Sequence, residues 1–362
     1  MFARAALSHF QKKALSMLLL LGAGIFPSSA TAEDGSAAWL RYAPPTQSDL
    51  YASLSDRIAV AGDTTTDIAA AKELQTGLSS MLKRPVSLIS GSYSSAGGLI
   101  LLEAEDERQR LNMDELRPAG TDGTALRPEE YIIRTFPEGT RTSMVIRGGS
   151  SAGVLYGVFH VLELIASQRP LPAVDRQSPS APIRWTDEWD NLNGTIERGF
   201  AGLSIFFDNG HVRADLTRAG QYARLLASVG INGCNINNVN ADLDLLTTDH
   251  LREFARIADA FRPWGVKLAL SVDLTSPQTV GNLPTFDPKD PTVIAWWDKK
   301  VDEIYTLIPD FGGFTVKADS EGRKGPSQYG RSPADAANVL ARALAPHHGV
   351  VLYRGFVYNN HL

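Results

Sequence analysis

The feature that most constrains this fold is a change of rhythm after a proline-rich stretch. Residues 167–182 contain four prolines, at 170, 172, 179 and 182. Such a stretch is expected to form a linker or an irregular crossing. Beyond it, short apolar runs alternate with amphipathic segments. The apolar runs Ala201–Phe207, Ile231–Asn237, Val266–Val272, Gly313–Ala318 and Val350–Tyr353 read as strands. Between them, helices are expected around Leu216–Ser228, from a Thr248 cap to Pro263, after Asp290-Pro291, and from Ser332-Pro333 to about Ala345. Leu251, Phe254, Ala255, Ala258 and Phe261 share one helical face, as do Ile294, Trp297, Val301, Ile304 and Ile308. Repeated βα units predict parallel strands.

An open doubly wound sheet and a (β/α)₈ barrel both satisfy that rhythm. No Gly-x-Gly-x-x-Gly loop follows any strand, which weakens a nucleotide-binding open sheet. Polar residues instead close nearly every strand: Asp208, Asn237 and Asn238, Asp273, Lys317 with Asp319 and Glu321, and Arg354. Barrel enzymes assemble their sites at such strand ends. About 160 residues remain from Ala201, enough for about five of eight strands. The expectation is a truncated barrel, the amino-terminal fragment of a longer protein.

The preceding stretch reads as a small α+β domain. Ile58–Val60 and Gly98–Leu102 are expected strands. Tyr131–Phe136 and Thr142–Arg147 form an expected strand pair across Pro137-Glu138-Gly139. Helices are expected over Thr64–Leu82 and Ser151–Ala166. Ahead of this domain, Arg4, Lys12 and Lys13 precede the apolar run Ala14–Phe26 and then Pro27–Ala32, with small residues at Ala30 and Ala32. That order is that of an export signal cleaved after Ala32, giving a periplasmic or extracellular protein with no membrane association. The expected organisation is a signal over 1–32, an α/β domain over 33–180 and a partial barrel over 181–362.

Composition closes other routes. The net charge is -5, with no basic block, so nucleic acid is excluded as a partner. Cys234 is the only cysteine, so no intrachain disulfide forms. The seven histidines show no ligand spacing, and no metal or cofactor is expected.

Two segments carry chemistry. Lys317-Ala318-Asp319-Ser320-Glu321-Gly322 places a cation and a carboxyl group within reach of one pocket. Glu321 is a candidate general acid, with a surface ion pair as the competing reading. Trp185-Thr186-Asp187-Glu188-Trp189-Asp190-Asn191 interleaves aromatic faces with carboxylates, which suits a sugar ring. Core packing is the competing reading there, strongest for Trp185. Arg354 is a natural partner for a carboxylate, or a structural arginine. Asn235, Asn237, Asn238 and Asn240 either bind hydroxyls or cap a turn.

These blocks resemble the α-glucuronidases of glycoside hydrolase family 67. The likeness lies in Arg184–Gly199, Gly230–Asn240, Trp264–Lys267, Pro284–Pro288, Val316–Gly322 and Tyr353–Tyr358. The resemblance implies a small α/β domain, a (β/α)₈ barrel and a helical carboxy-terminal region. It implies inverting removal of glucuronic acid, or its 4-O-methyl form, from the terminal xylose of glucuronoxylan-derived oligosaccharides. Carried over, Glu321 is the general acid, Lys317 and Arg354 bind the uronate carboxylate, Trp189 walls the pocket and Val239 touches the sugar. Family members can dimerise through the carboxy-terminal region. The family's base carboxylates follow later strands, beyond Leu362, so this polypeptide alone is expected to be inactive. A non-catalytic uronate-binding protein is the alternative of another class. A hexosaminidase-like barrel ranks below it, because Ser320 separates Asp319 from Glu321 where that chemistry uses an adjacent pair.

Overall fold

A computed structural model describes residues 35–89, 98–105 and 125–355. The expected export signal lies outside the described residues. The first sheet contains six strands in the order β2-β1-β3-β5-β4-β6. They are β1 (Arg57–Val60), β2 (Ser87–Ile89), β3 (Ile100–Ala104), β4 (Tyr131–Glu138), β5 (Arg141–Gly148) and β6 (Val174–Gln177). β1 pairs in parallel with β2 and β3, and β3 in parallel with β5, whereas β4 runs antiparallel to both neighbours. The turn between β4 and β5 passes through Gly139 at φ 63°, a conformation natural to glycine.

Helices α1 (Thr65–Leu82) and α2 (Ser151–Ala166) carry this sheet's core. Thr64 starts α1 with a capping box: its hydroxyl accepts from Asp67 N while the Asp67 carboxylate accepts from Thr64 N. The strands alternate with period two. Ile58, Ile100, Leu102, Met144 and Ile146 join the helices' Leu74, Leu78, Leu155 and Leu162, while Ala59, Leu99 and Leu101 form a second cluster.

The expected linker is not wholly irregular, because β6 lies inside it and pairs Val174–Gln177 against Tyr131–Arg134. Its prolines flank those four residues and leave their N–H groups available to the sheet edge.

The second sheet has five parallel strands in the order β13-β12-β11-β10-β7, with helices between them, a curled half-barrel. They are β7 (Trp185–Asp187), β10 (Gly233–Asn235), β11 (Lys267–Val272), β12 (Gly313–Val316) and β13 (Val350–Tyr353). Four of the expected strands occupy these places. The fifth does not. Ala201–Phe207 contributes no strand to this sheet, and the first position is taken by Trp185–Asp187. Phe207 instead opens a hairpin of β8 (Phe207–Asp208) and β9 (His211–Val212). Asp208 therefore ends a hairpin strand rather than a barrel strand. The apolar character of 201–207 has another cause: Phe206 and Phe207 are buried against Phe261 and Phe254.

The connecting helices are α3 (Thr217–Ser228), α4 (Thr248–Phe261), the short α5 (Ser276–Thr279), α6 (Pro291–Leu307) and α7 (Pro333–Leu344). Asp290 caps α6 and Ser332 caps α7, each ahead of a first-turn proline, as expected. The α4 cap is Thr247, one residue earlier than expected, and the Thr248 hydroxyl donates to Glu303.

Buried residues from Leu40 to Leu344 form one connected cluster that runs through both sheets' helices. A buried ionic latch ties α1 to α3. Arg224 donates Nε to Glu73 Oε2 at 2.9 Å and Nη2 to Glu73 Oε1 at 2.7 Å. The Tyr42 hydroxyl also donates to Glu73, and the Arg224 guanidinium lies 5.6 Å from the Tyr42 ring centre. Only 5% of Glu73 is exposed, so removing its cation strands a carboxylate in the interior. Arg224→Met is expected to cost about 3 kcal/mol in urea unfolding. Glu73→Leu in the same chain is expected to restore most of that loss. Additive losses in the double variant would contradict the latch.

Candidate active site

Parallel pairing delivers the carboxyl ends of β7, β10, β11, β12 and β13 to one edge of the sheet. β10 leads into Asn235–Asn240, which are mostly framework. Asn237 is locked to β11, donating Nδ2 to Ser271 O at 3.0 Å and accepting from Ser271 N at 2.8 Å. Asn238 Nδ2 donates to Asn191 Oδ1 at 3.0 Å. Asn235 Nδ2 donates to Asp187 Oδ1 at 2.8 Å. These amides therefore join strand ends rather than stand open for hydroxyls. Asn240 differs, because its Oδ1 accepts from Lys317 Nζ at 2.9 Å.

Lys317 follows β12 and is 3% exposed. Burying an ammonium requires paired acceptors. Asn240 supplies one, and the carboxylate of Glu321 supplies the second through Oε2. The expected pair therefore exists, with its cation buried rather than at the surface. The loop that brings Glu321 back to Lys317 is conformationally costly. Asp319 and Glu321 adopt φ 52° and 49°, left-handed values, and Gly322 follows at 78°. Each non-glycine residue in that region costs on the order of 1 kcal/mol. Asp319 is held by accepting from Ser327 N at 3.2 Å and from its hydroxyl. Arg323 pins the loop from below. It donates Nη1 to Ala241 O at 2.9 Å and pairs with Asp273 Oδ2 at 3.1 Å.

Arg354 leaves β13 with its guanidinium carbon 5.2 Å from the centre of the Trp189 ring. Trp189 Nε1 donates to Asp187 Oδ2 at 3.3 Å. The structure thus joins Lys317 to Glu321 and Arg354 to Trp189. Val239 sits between Asn238 and Asn240 and is 1% exposed, so it presents almost no surface. Trp185 belongs to the opposite end of β7. It packs over Gly233 and Gly312, where an added Cβ would meet the indole at 2.2 and 2.9 Å. Packing is its role.

Sequence reasoning missed two residues, Arg198 and Arg323, and gave Asn240 a different role. Arg198 reaches from the loop after β7 to within 3.5 Å of Glu321 Oε1. Arg323 and Asn240 hold the loop and the lysine. The only available signal was charge density, since Arg323 lies two residues from Glu321. Nothing local marks Arg198, whose 123-residue separation from Glu321 is bridged by the fold.

Asp190 follows Trp189 and is buried. Desolvation pushes its pKa up to about 6, opposed by hydrogen bonds from Ser204 and the Ile205 backbone. A raised carboxyl pKa favours the native state when the group is protonated. That contribution is present at low pH and is lost as pH rises from about 4 through about 6. Asp190→Asn is expected to remove a pH-dependent decline on the order of 2 kcal/mol across that window, read by urea unfolding. Parallel profiles for the two proteins would refute it.

The family model described as glycosyl hydrolase family 67 N-terminus matches residues 38–161, and the model of the family's middle domain matches 164–362. The probable alpha-glucuronidase A of Aspergillus terreus is 42% identical over 354 residues, spanning 96% of this chain and 41% of that protein. The alpha-glucuronidase A of Aspergillus tubingensis is 40% identical, spanning 96% of this chain and 40% of that protein. The chain therefore spans about 40% of the length of these curated relatives. Among solved structures, a family GH115 4-O-methyl-alpha-glucuronidase with specificity for decorated arabinogalactans aligns with TM-score 0.51 at 14% identity. It covers 81% of this chain and 40% of that chain, a likeness of fold alone. Two adjoining family models that together span nearly the whole described chain place it in glycosyl hydrolase family 67.

Proposed function

We propose that this chain carries the uronate-binding half of an inverting α-glucuronidase site. The substrate is (4-O-methyl-)glucuronic acid linked to the terminal xylose of a xylan oligosaccharide. The observation that carries this reading is the placement of two cations, Lys317 and Arg354, at neighbouring strand ends beside an indole face. A uronate differs from a neutral hexose by one carboxylate. An ammonium and a guanidinium suit that group, while Trp189 offers its face to the ring. Glu321 is the acid that protonates the glycosidic oxygen. Family membership and relatives named alpha-glucuronidase support the same reading. The charged, apolar and small-residue order of residues 4–32 supports export, with cleavage after Ala32.

Inversion needs a second carboxylate about 6.5–9.5 Å from the acid to activate water. By family resemblance, that base follows later barrel strands. Glu188 is no substitute, because it accepts from the Tyr222 hydroxyl. Asp273 is held by Arg323 and by Thr275.

Two expected outcomes follow from the two halves of this reading. Calorimetry should show that the chain binds glucuronate more tightly than glucose, and Arg354→Ala should weaken glucuronate binding by about 10–100-fold. Equal affinity for the two sugars would overturn the uronate assignment. Residues 1–362, expressed as such, should release no 4-O-methylglucuronic acid from an aldouronic acid. Turnover near that of a whole family member would overturn the assignment of the base.

A further inference from the structure

We infer that Lys317 makes protonation of Glu321 conditional on the arrival of a uronate, so that one residue links recognition to readiness of the acid. The inference rests on the uronate reading above and adds a proton to its binding step.

The Lys317 ammonium is buried and has three donors. Asn240 Oδ1 takes one at 2.9 Å, and Glu321 Oε2 takes another. A general acid must hold a proton, yet an adjacent ammonium favours the carboxylate anion. As it stands, this pair is an ion pair and not an acid. A uronate that turns its carboxylate to Lys317 becomes a second anion on the same ammonium. Two carboxylates sharing one cation repel, and the arrangement relaxes when one of them takes a proton. The free sugar acid also gains Arg354, whereas Glu321 loses part of Lys317. The proton therefore goes to Glu321. It comes from solvent, no covalent bond between heavy atoms changes, and the ion pair becomes a carboxylic acid beside a lysine–uronate pair.

The other charged groups around Glu321 do not replace the lysine. Arg198 approaches at 3.5 Å, but its side chain is 70% exposed and is shared with Glu197. Its attraction is screened by water. On the same loop, Arg323 is committed to Asp273, and Asp319 to Ser327. A neutral hexose would leave the Lys317–Glu321 pair intact. Discrimination against glucosides would then lie in the chemical step as well as in binding.

The test is proton linkage, which needs no turnover. Sodium glucuronate is titrated into the 362-residue chain by calorimetry at about pH 5.5, in two buffers of different ionisation heat. The expected result is uptake of ~0.5 proton or more per uronate bound. Affinity in the unmodified chain should rise about 3–10-fold between about pH 7 and pH 5. Glu321→Gln should abolish the uptake while still binding glucuronate. Asp190 titrates in the same window, so uptake that survives Glu321→Gln would assign the proton elsewhere and overturn the inference. Binding with a flat pH dependence and no uptake would overturn it too, leaving the uronate reading intact. Failure to bind glucuronate at all would remove both.

Discussion

Backbone pairing in the second sheet runs in one direction, and each register holds a strand's carboxyl end level with its neighbours. Gly313 stands opposite both Ala269 and Val350, and Gly233 opposite both Trp185 and Lys267. Trp189, Asn240, Lys317 and Arg354 are widely separated in sequence, yet this register brings them to one edge. The same constraint explains the glycines at the other edge. Gly313, at φ 140°, lies so close to the Val350 backbone that a Cβ would approach its carbonyl oxygen to 2.0 Å. No side chain fits there, and the strand could not pair in its present register with one.

Once strand ends are gathered, buried charge determines local structure. Lys317 cannot be buried without acceptors, and the Asp319–Gly322 turn supplies one at the expense of left-handed backbone. Glu73 cannot be buried without Arg224. In the first case the compensating carboxylate is the group proposed as the acid. In the second it is a structural tie. Each pair buries one member, Lys317 in the first and Glu73 in the second, and they differ in whether a ligand carboxylate can compete for the cation.

Much of this was legible in the sequence, and the misses have physical causes. Helices with strong ends were read to within a residue, because Thr64, Asp290 and Ser332 satisfy backbone N–H groups in any context. Four of five half-barrel strands were legible as apolar runs, of which β10, β11 and β12 are buried on both faces and β13 is only partly covered. β7 was not, since Trp185-Thr186-Asp187 is only three residues long and largely polar. Its place was assigned to Ala201–Phe207, whose apolar residues pack as a loop against α4. β6 was hidden by the prolines around it. Pairing of Lys317 with Glu321 was readable from spacing, whereas the Arg354–Trp189 contact depended on strand order. Residues that act only through the fold, such as Arg198 and Arg224, left no local mark.

The continuous cluster from Leu40 to Leu344 has an evolutionary consequence. The proline-rich stretch looks like a seam at which two modules could be exchanged between relatives. The packing does not respect it. α1 and α2 meet α3 across that seam, and Glu73 and Arg224 sit on opposite sides of it. A chimera crossed over near residue 180 would inherit one half of each contact from each parent. Recombination there is expected to succeed only between parents that keep both halves of the ionic pair and matched volumes around it. A cut that is clean in sequence would still divide one cooperative core.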